Sequence, residues 1–387
     1  MRSLGNAWSP GLVFMPSLVV KPVETRRERQ QFLMLPWDLY CGDPQWIPPL
    51  RTNQAELVGY KRHPFYDNAE GQTFLAFQDG RPVGRVLALI NRVHNRLYNE
   101  QRGFFGFFES VDDPAVAGGL FDAARAWLRE RGIMAIRGPA NPSLNYECGL
   151  LIDGFDTPPT FMMTYNPPYY QRLIEGYGFQ KVEDLFAFEG RADQLEKLDE
   201  KLLFITAEAR KRFEIKTRRL SRRTFRQDVR LFLDIYNRAC VGTWGFTPLS
   251  DREIEHISAS LKHLIVPEMT SIAEIDGQPV GAMFGLLDYN PRIKQIDGKL
   301  FPFGWMRLLW NRKAIKRIRL ISTNVIPEYQ KWGVGLVVVN RLMPDAIAWG
   351  VQEAEFSWVL ESNRLSLQTL KRGGANIIKT YRMYDLE

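Results

Sequence analysis

The chain has 387 residues, 45% of them hydrophobic and 25% charged, with a formal net charge of +7. That length exceeds one ordinary hydrophobic core and predicts two globular domains. Its three cysteines, Cys41, Cys148 and Cys240, stand far apart with no CxxC pair, which excludes a disulfide framework or a structural zinc site and fits a reducing cytoplasm.

Residues 1–15 lack the layout of a signal peptide and read as an extension ahead of the first domain. No run approaches the roughly 18–20 apolar residues of a membrane-spanning helix, so a cytoplasmic protein is expected, soluble or peripheral at the inner membrane face. In the first domain, 16–195, SLVVKPVE reads as a strand and TRRERQQFLMLPWDLY as an amphipathic helix. GQTFLAFQDG and RPVGRVLALIN form a hairpin around Asp79-Gly80, a strong turn signal. FFGFFES is a further strand, VAGGLFDAARAWLRERG a helix stopped by Gly132, and IMAIRGPA another strand. A Pro-started helix in NPPYYQRLIEGYGF stops at Gly178, and VEDLFAFEG closes the domain.

A helix at 193–213 links this to the second domain, 196–387, which repeats the order. RFEIKTRRL is a strand, FRQDVRLFLDIYNRA a helix, and MTSIAEIDGQPVGAMFGLLDY a hairpin around Asp276-Gly277. The strand RIRLISTNVI leads through Pro327 into Gln330-Lys331-Trp332-Gly333-Val334-Gly335 and an apolar helix. The strand FSWVLESN, the helix RLSLQTLKRGG and the strand NIIKTYRMYDL finish the chain. DGRPVGRVLAL and DGQPVGAMFGL stand at equivalent places, as after an ancient duplication. Strands and helices mixed in this way predict an α/β fold with an α+β mixed sheet.

The strand, Gly-containing turn and helix at 317–349 carry the chemistry. Backbone N–H groups at a helix N-terminus face outward and can hold a pyrophosphate, and glycine at 333 and 335 permits the close approach this needs. The Q-x-x-G-x-G arrangement resembles the acyl-CoA-binding motif of the GCN5-related N-acetyltransferase (GNAT) superfamily. The resemblance implies two tandem GNAT-like domains, acyl-CoA (acetyl or long-chain) as co-substrate, no metal, and acyl transfer to an amine. It assigns the cradle to Gln330, Lys331, Trp332, Gly333, Val334 and Gly335, and the backbone N–H that meets the thioester oxygen to Asn324, Val325 or Ile326. Asn363, at the corner between strand and helix, takes the place of an Asn that contacts the pantetheine or phosphate part of CoA.

The first domain keeps the corner as Tyr165-Asn166-Pro167 but has no such cradle, and Asp112 and Asp113 stand where they would repel a pyrophosphate. It is expected to shape the acceptor site without binding CoA, as in tandem relatives with one working half. Many family members protonate the leaving thiolate with a Tyr seven residues after the corner Asn; here that residue is Leu370, leaving Tyr381 or Tyr384 as substitutes. Glu361 is the carboxylate nearest the corner and the candidate base, or else a partner of the following helix. The four histidines show no metal spacing.

Two segments bear on the acceptor. In GPANPSLNYECGLLIDGFDTPP, a loop dense in Gly, Pro and Asn, Asn141, Asn145 and Glu147 either line an acceptor pocket or bond their own backbone. Residues 299–317 interleave Leu300, Phe301, Phe303, Trp305, Met306, Leu308, Leu309 and Trp310 with six Lys and Arg. That segment either packs on the first domain or meets an anionic membrane surface; contact with nucleic acid is a third option. The lipid option implies a long-chain acceptor or donor, as in a bacterial ceramide synthase-like N-acylation of a sphingoid amine. The basic run at 210–226 leaves an alternative, a regulatory or nucleic-acid-binding protein on a GNAT scaffold, though no recognition motif accompanies it. A catalytically silent adaptor at a lipid surface is the other.

Overall fold

The computed structural model describes residues 17–192 and 200–387. The extension at 1–15 and the boundary placed at 195 lie outside the described residues. In the first half the elements run β1 (Leu18–Pro22), α1 (Arg26–Leu39), α2 (Arg51–Leu57), β2 (Ala69–Gln78), β3 (Arg81–Asn91), α3 (Arg92–Tyr98), β4 (Arg102–Ser110) and α4 (Pro114–Arg129). There follow β5 (Ala135–Gly138), the short β6 (Ala140–Asn141) and β7 (Glu147–Cys148), β8 (Leu150–Asp153), α5 (Tyr169–Tyr177) and β9 (Gln180–Arg191). A capping box between Thr25 and Glu28 starts α1, and Asp79 and Gly80 turn the hairpin with φ of 50° and 77°.

The second half runs α6 (Glu200–Phe213), β10 (Lys216–Arg218), α7 (Phe225–Ala239), α8 (Asp251–Leu261), β11 (Thr270–Ile275) and β12 (Gln278–Leu287). It continues through α9 (Asn290–Gln295), α10 (Gly304–Leu309), β13 (Arg317–Val325), α11 (Val334–Trp349), β14 (Glu353–Leu360), α12 (Arg364–Arg372) and β15 (Asn376–Leu386). The strand expected in RFEIKTRRL shrinks to three residues at the sheet edge, where Arg218 pairs with Asp228 and Glu274, and Arg219 with Asp345.

All the long strands join one mixed sheet in the order β1-β2-β3-β4-β5-β15-β9-β14-β13-β12-β11-β10. Each half lends its last strand to the other: β15 lies between β5 and β9, and β9 between β15 and β14. The register repeats as well, with Gly84 opposite Ser110 in one half and Gly281 opposite Val325 in the other. Helix α4 buries Val116, Leu120 and Phe121 in a cluster with Phe105 and Phe179, and α11 buries Val334, Val337 and Val338 among Ile272, Ala282 and Val280. Against β12, α7 stacks Phe232 on Phe284 with ring centroids 3.9 Å apart.

Between β12 and β13, where the first half has only α3, stand α9 and α10. This insertion is fastened to the first half, with Arg51 N–H donating to the Gly298 carbonyl at 3.1 Å and the Trp37 indole donating to Asp297 at 2.5 Å. Among the described residues no helix is long and apolar enough to cross a membrane.

Candidate active site

Strands β13 and β14 run parallel only from Arg317 opposite Glu353 to Leu320 opposite Phe356. Beyond that point they part, since β14 shifts register to follow β9. The opening is walled by Ile321 to Val325 on one side and Ser357 to Leu360 on the other. At its end α11 begins. Gly333 caps that helix with φ of 79°, and among the described residues no side chain caps its first turn; apart from the Leu336 N–H, which donates to the Gly333 carbonyl, the first-turn amides and the positive end of the dipole are left for an anionic ligand. A Cβ at Gly335 would meet Thr323 at an ordinary 3.6 Å, whereas one at Gly333 would fall 2.6 Å from Ile205 of α6. Gly333 is thus fixed by backbone and packing, and Gly335 keeps the cradle open. Lys331, exposed beside it, makes no ion pair among the described residues.

The corresponding opening of the first half is filled by its own chain. Strands β4 and β5 pair from Arg102 opposite Ala135 to Phe104 opposite Arg137, and β6 then folds into the gap. Asn141 Oδ1 accepts the Phe107 N–H at 2.6 Å, and a Cβ at Gly106 would lie 1.9 Å from the Ala140 oxygen. The start of α4 is closed too, by Pro114 and by Asp113, whose carboxylate accepts the Ala115 N–H at 2.8 Å. The corner residue Asn166 bonds the Leu151 backbone on both sides.

Between the halves lies a largely apolar cavity of about 2080 Å³ that reaches from the α11 turn to α2 and the insertion. Glu147 enters it on β7, and no hydrogen bond holds its carboxylate among the described residues. Burial pushes that carboxyl up to about 7, and the nearby Arg319 guanidinium pulls it back down. Arg319 neighbours Leu320, where β13 and β14 part, and is buried with bonds to Ser357, Phe161 and Met162. Glu147, from the first half, therefore stands near the apex of the second half's opening. On its wall Asn324 is buried; its Oδ1 accepts from Ser322, while Nδ2 has no partner among the described residues. A buried donor without a partner is costly unless a ligand satisfies it.

The other expected residues divide between the cavity and the scaffold. Asn145 lines the cavity but is held by Tyr236, which donates to it at 2.8 Å, and by its own bond to the Thr247 carbonyl at 2.8 Å. Gln330 directs its side-chain amide to the carbonyls of Val325 and Ala239, closing the turn. The Ile326 N–H donates to Val280 at 2.9 Å, so it is not available to a thioester oxygen. Trp332 faces α6, under the Arg212 guanidinium at 4.0 Å. Asn363 lines the cavity and caps α12 by accepting the Ser366 N–H at 3.1 Å.

Three candidates stand away from it. Glu361 is on the surface, paired with Lys181 at 2.8 Å; the β14–β9 pairing turns it outward. Tyr384 donates to Glu175 at 2.9 Å in the first half's core. Tyr381 is fully buried beside Gly149, its hydroxyl without a hydrogen-bond partner among the described residues. The strand exchange keeps both tyrosines out of the cavity lining, though Tyr381, like Glu147, lies close enough to the Arg319 guanidinium to feel its charge. Arg319 and the orphaned Nδ2 of Asn324 were not legible as site features: an inward Arg in RIRLIS reads like any strand charge.

Two curated proteins resemble the chain along nearly its whole length. It is 35% identical to Protein YghO of Escherichia coli (strain K12) over 373 residues, 95% of each chain. It is 36% identical to the bacterial ceramide synthase of Caulobacter vibrioides (strain NA1000 / CB15N) over 378 residues, 95% of this chain and 97% of that one. Among solved structures, a tandem GNAT protein from the clavulanic acid biosynthesis pathway superposes with a TM-score of 0.54 at 11% identity, covering 96% of this chain and 98% of that one. A GCN5-related glucosamine N-acetyltransferase region of a fungal multi-domain GH3 beta-N-acetylglucosaminidase gives 0.52 at 13% identity, over 97% of this chain and 38% of the other. No family model matches.

Proposed function

The chain belongs to the family of YghO and the bacterial ceramide synthase and shares the fold of a tandem GNAT protein; from that premise we propose that it is a GCN5-related N-acyltransferase that acylates a long-chain amine from acyl-CoA. The observation that carries this reading is the Glu147 carboxyl, poised at about 7 in an apolar cavity that continues into the β13–β14 opening. A base with a pKa near the working pH is matched to its task. The cavity's size and apolar lining favour an acceptor with a hydrocarbon chain over a small polar amine, and the named relative makes a sphingoid amine the first acceptor to try.

Acyl-CoA supplies the activated thioester. The α11 first turn and Lys331 are suited to its phosphates, and Asn363 and the strand edges to its pantetheine arm. The amine nitrogen attacks the thioester carbon; the C–N bond forms and negative charge develops on oxygen. Asn324 Nδ2 donates to that oxygen, which gives the orphaned donor a partner in the transition state. Glu147 accepts the proton that the nitrogen sheds. The C–S bond then breaks, and Glu147 returns the proton to sulfur, since Leu370 stands where a Tyr would otherwise serve. Burial of the site keeps water from competing for the thioester.

Thermal shift against CoA, palmitoyl-CoA and buffer, followed by mass spectrometry of products with sphinganine as acceptor, tests the reading. Stabilisation by both thioester and free CoA, with an N-acyl product, is expected. No shift with either ligand and no product would contradict it.

A further inference from the structure

The insertion between β12 and β13 departs from the repeat. In the first half residues 92–101 join the equivalent strands; here residues 288–316 do so. Its inner side is anchored, with Leu308 buried in the core and Asp297 bonded to Trp37 and Arg51. Its outer side packs on no other element among the described residues. Phe301 is 76% exposed, Phe303 73% and Trp310 76%, with Trp305 and Met306 about half exposed. A cluster of this size, rimmed by charge, marks an interaction surface.

Two further observations say what it meets. Between 291 and 317 there are eight Lys and Arg and one acidic residue, Asp297, which is already engaged by the first half. Lys299, Arg307, Lys313 and Lys316 are exposed along the same segment, and the last three make no ion pair among the described residues. The same segment also forms a rim of the cavity: Leu300, Phe301, Trp305 and Leu309 line it, and Phe301 and Trp305 do so while exposed to solvent.

We propose that residues 300–310 dock the protein on an anionic bilayer, with the cavity mouth opening into the lipid. Aromatic side chains enter the interfacial region while the cations meet lipid phosphates. A single-chain amphiphile then slides from bilayer to cavity without its chain crossing water. This builds on the long-chain acceptor proposed above, but docking itself requires neither CoA nor turnover.

The test is sedimentation of the full chain with vesicles of phosphatidylcholine alone or mixed with phosphatidylglycerol, without substrates. Wild type is expected to pellet with the anionic vesicles, and Phe303→Ser/Trp310→Ser to lose at least tenfold in partitioning. Neither residue lines the cavity, so the double variant should keep its melting temperature and its CoA-induced shift. Arg307→Glu/Lys313→Glu should release the protein from anionic vesicles as well. Failure of wild type to pellet, or equal pelleting of the Phe303/Trp310 variant, would overturn docking, and so would a dimer in gel filtration that the variant dissolves without any vesicle binding. Absence of a CoA shift in wild type would instead count against the acyl-CoA reading and leave the docking result to be judged by itself.

Discussion

Asn141 Oδ1 lies 2.6 Å from the Phe107 amide nitrogen, and this contact separates the fates of two halves built on one plan. It closes the first opening with the chain's own polar group, as Asp113 closes the first turn of α4. One CoA per chain is therefore expected from isothermal titration. Asn141→Ala leaves the Phe107 N–H without its acceptor and should cost about 1–3 kcal/mol of stability, yet should not raise the stoichiometry to two, because Asp113 and Pro114 remain.

The two glycines of the α11 turn should fail differently. Gly333→Ala places a Cβ at positive φ and within 2.6 Å of Ile205, so it should lower the melting temperature, by roughly 1–2 kcal/mol for the backbone alone. A Cβ at Gly335 meets only ordinary contacts, so Gly335→Glu should fold and lose the CoA-induced shift through like-charge repulsion. Melting curves with and without CoA distinguish the two outcomes.

Asn324→Ala is expected to lower kcat by about 10²–10³, the usual effect of deleting one donor to a developing oxyanion. Its KM for acyl-CoA should change little. Stability should change little, since the lost Oδ1, which accepts from Ser322, is offset by removal of a buried donor that has no partner among the described residues. A loss confined to KM in steady-state kinetics would argue for a binding role only.

The exchanged strands predict a shared fate for the halves. Deleting residues 376–387 removes β15 from between β5 and β9, along with buried Tyr381, Met383 and Tyr384. The truncated chain should lose its structure in both halves rather than in the second alone, as read by hydrogen exchange of β2 and β3. Intact protection of those strands would contradict this coupling.

Much of the architecture was legible in local signals. Asp79-Gly80, Asp276-Gly277 and Gly178 sit at left-handed turns and caps, where only a few residue types fit. The Gly333 turn was legible for the same reason. Strand order was not, since the alternation in NIIKTYRMYDL is satisfied beside any apolar partner, and nothing local says that β15 crosses to the first half. That crossing buried Tyr381 and Tyr384, and the matching turn of β14 put Glu361 on the surface. Glu147 was visible only as one polar residue in a long loop; its burial beside Arg319 is a tertiary fact.

Folding stability should register Glu147 from the other side. Its carboxyl is raised from 4.5 to about 7 in the folded chain, so the folded state holds the proton more tightly than the unfolded state does. Stability associated with this group is full below about pH 4.5 and is lost as pH rises through about 7. Glu147→Gln removes that penalty, and its melting temperature relative to wild type should rise between pH 5 and pH 8.

The most direct measurement is kcat for transfer from palmitoyl-CoA to sphinganine between pH 5 and pH 9, in wild type and Glu147→Gln. The wild-type rate should climb through a pKa of about 7 and level off, while the variant should lose about 10²–10⁴ in rate together with that limb. An unchanged rate and profile in a folded, CoA-binding Glu147→Gln chain would contradict the assignment of the base.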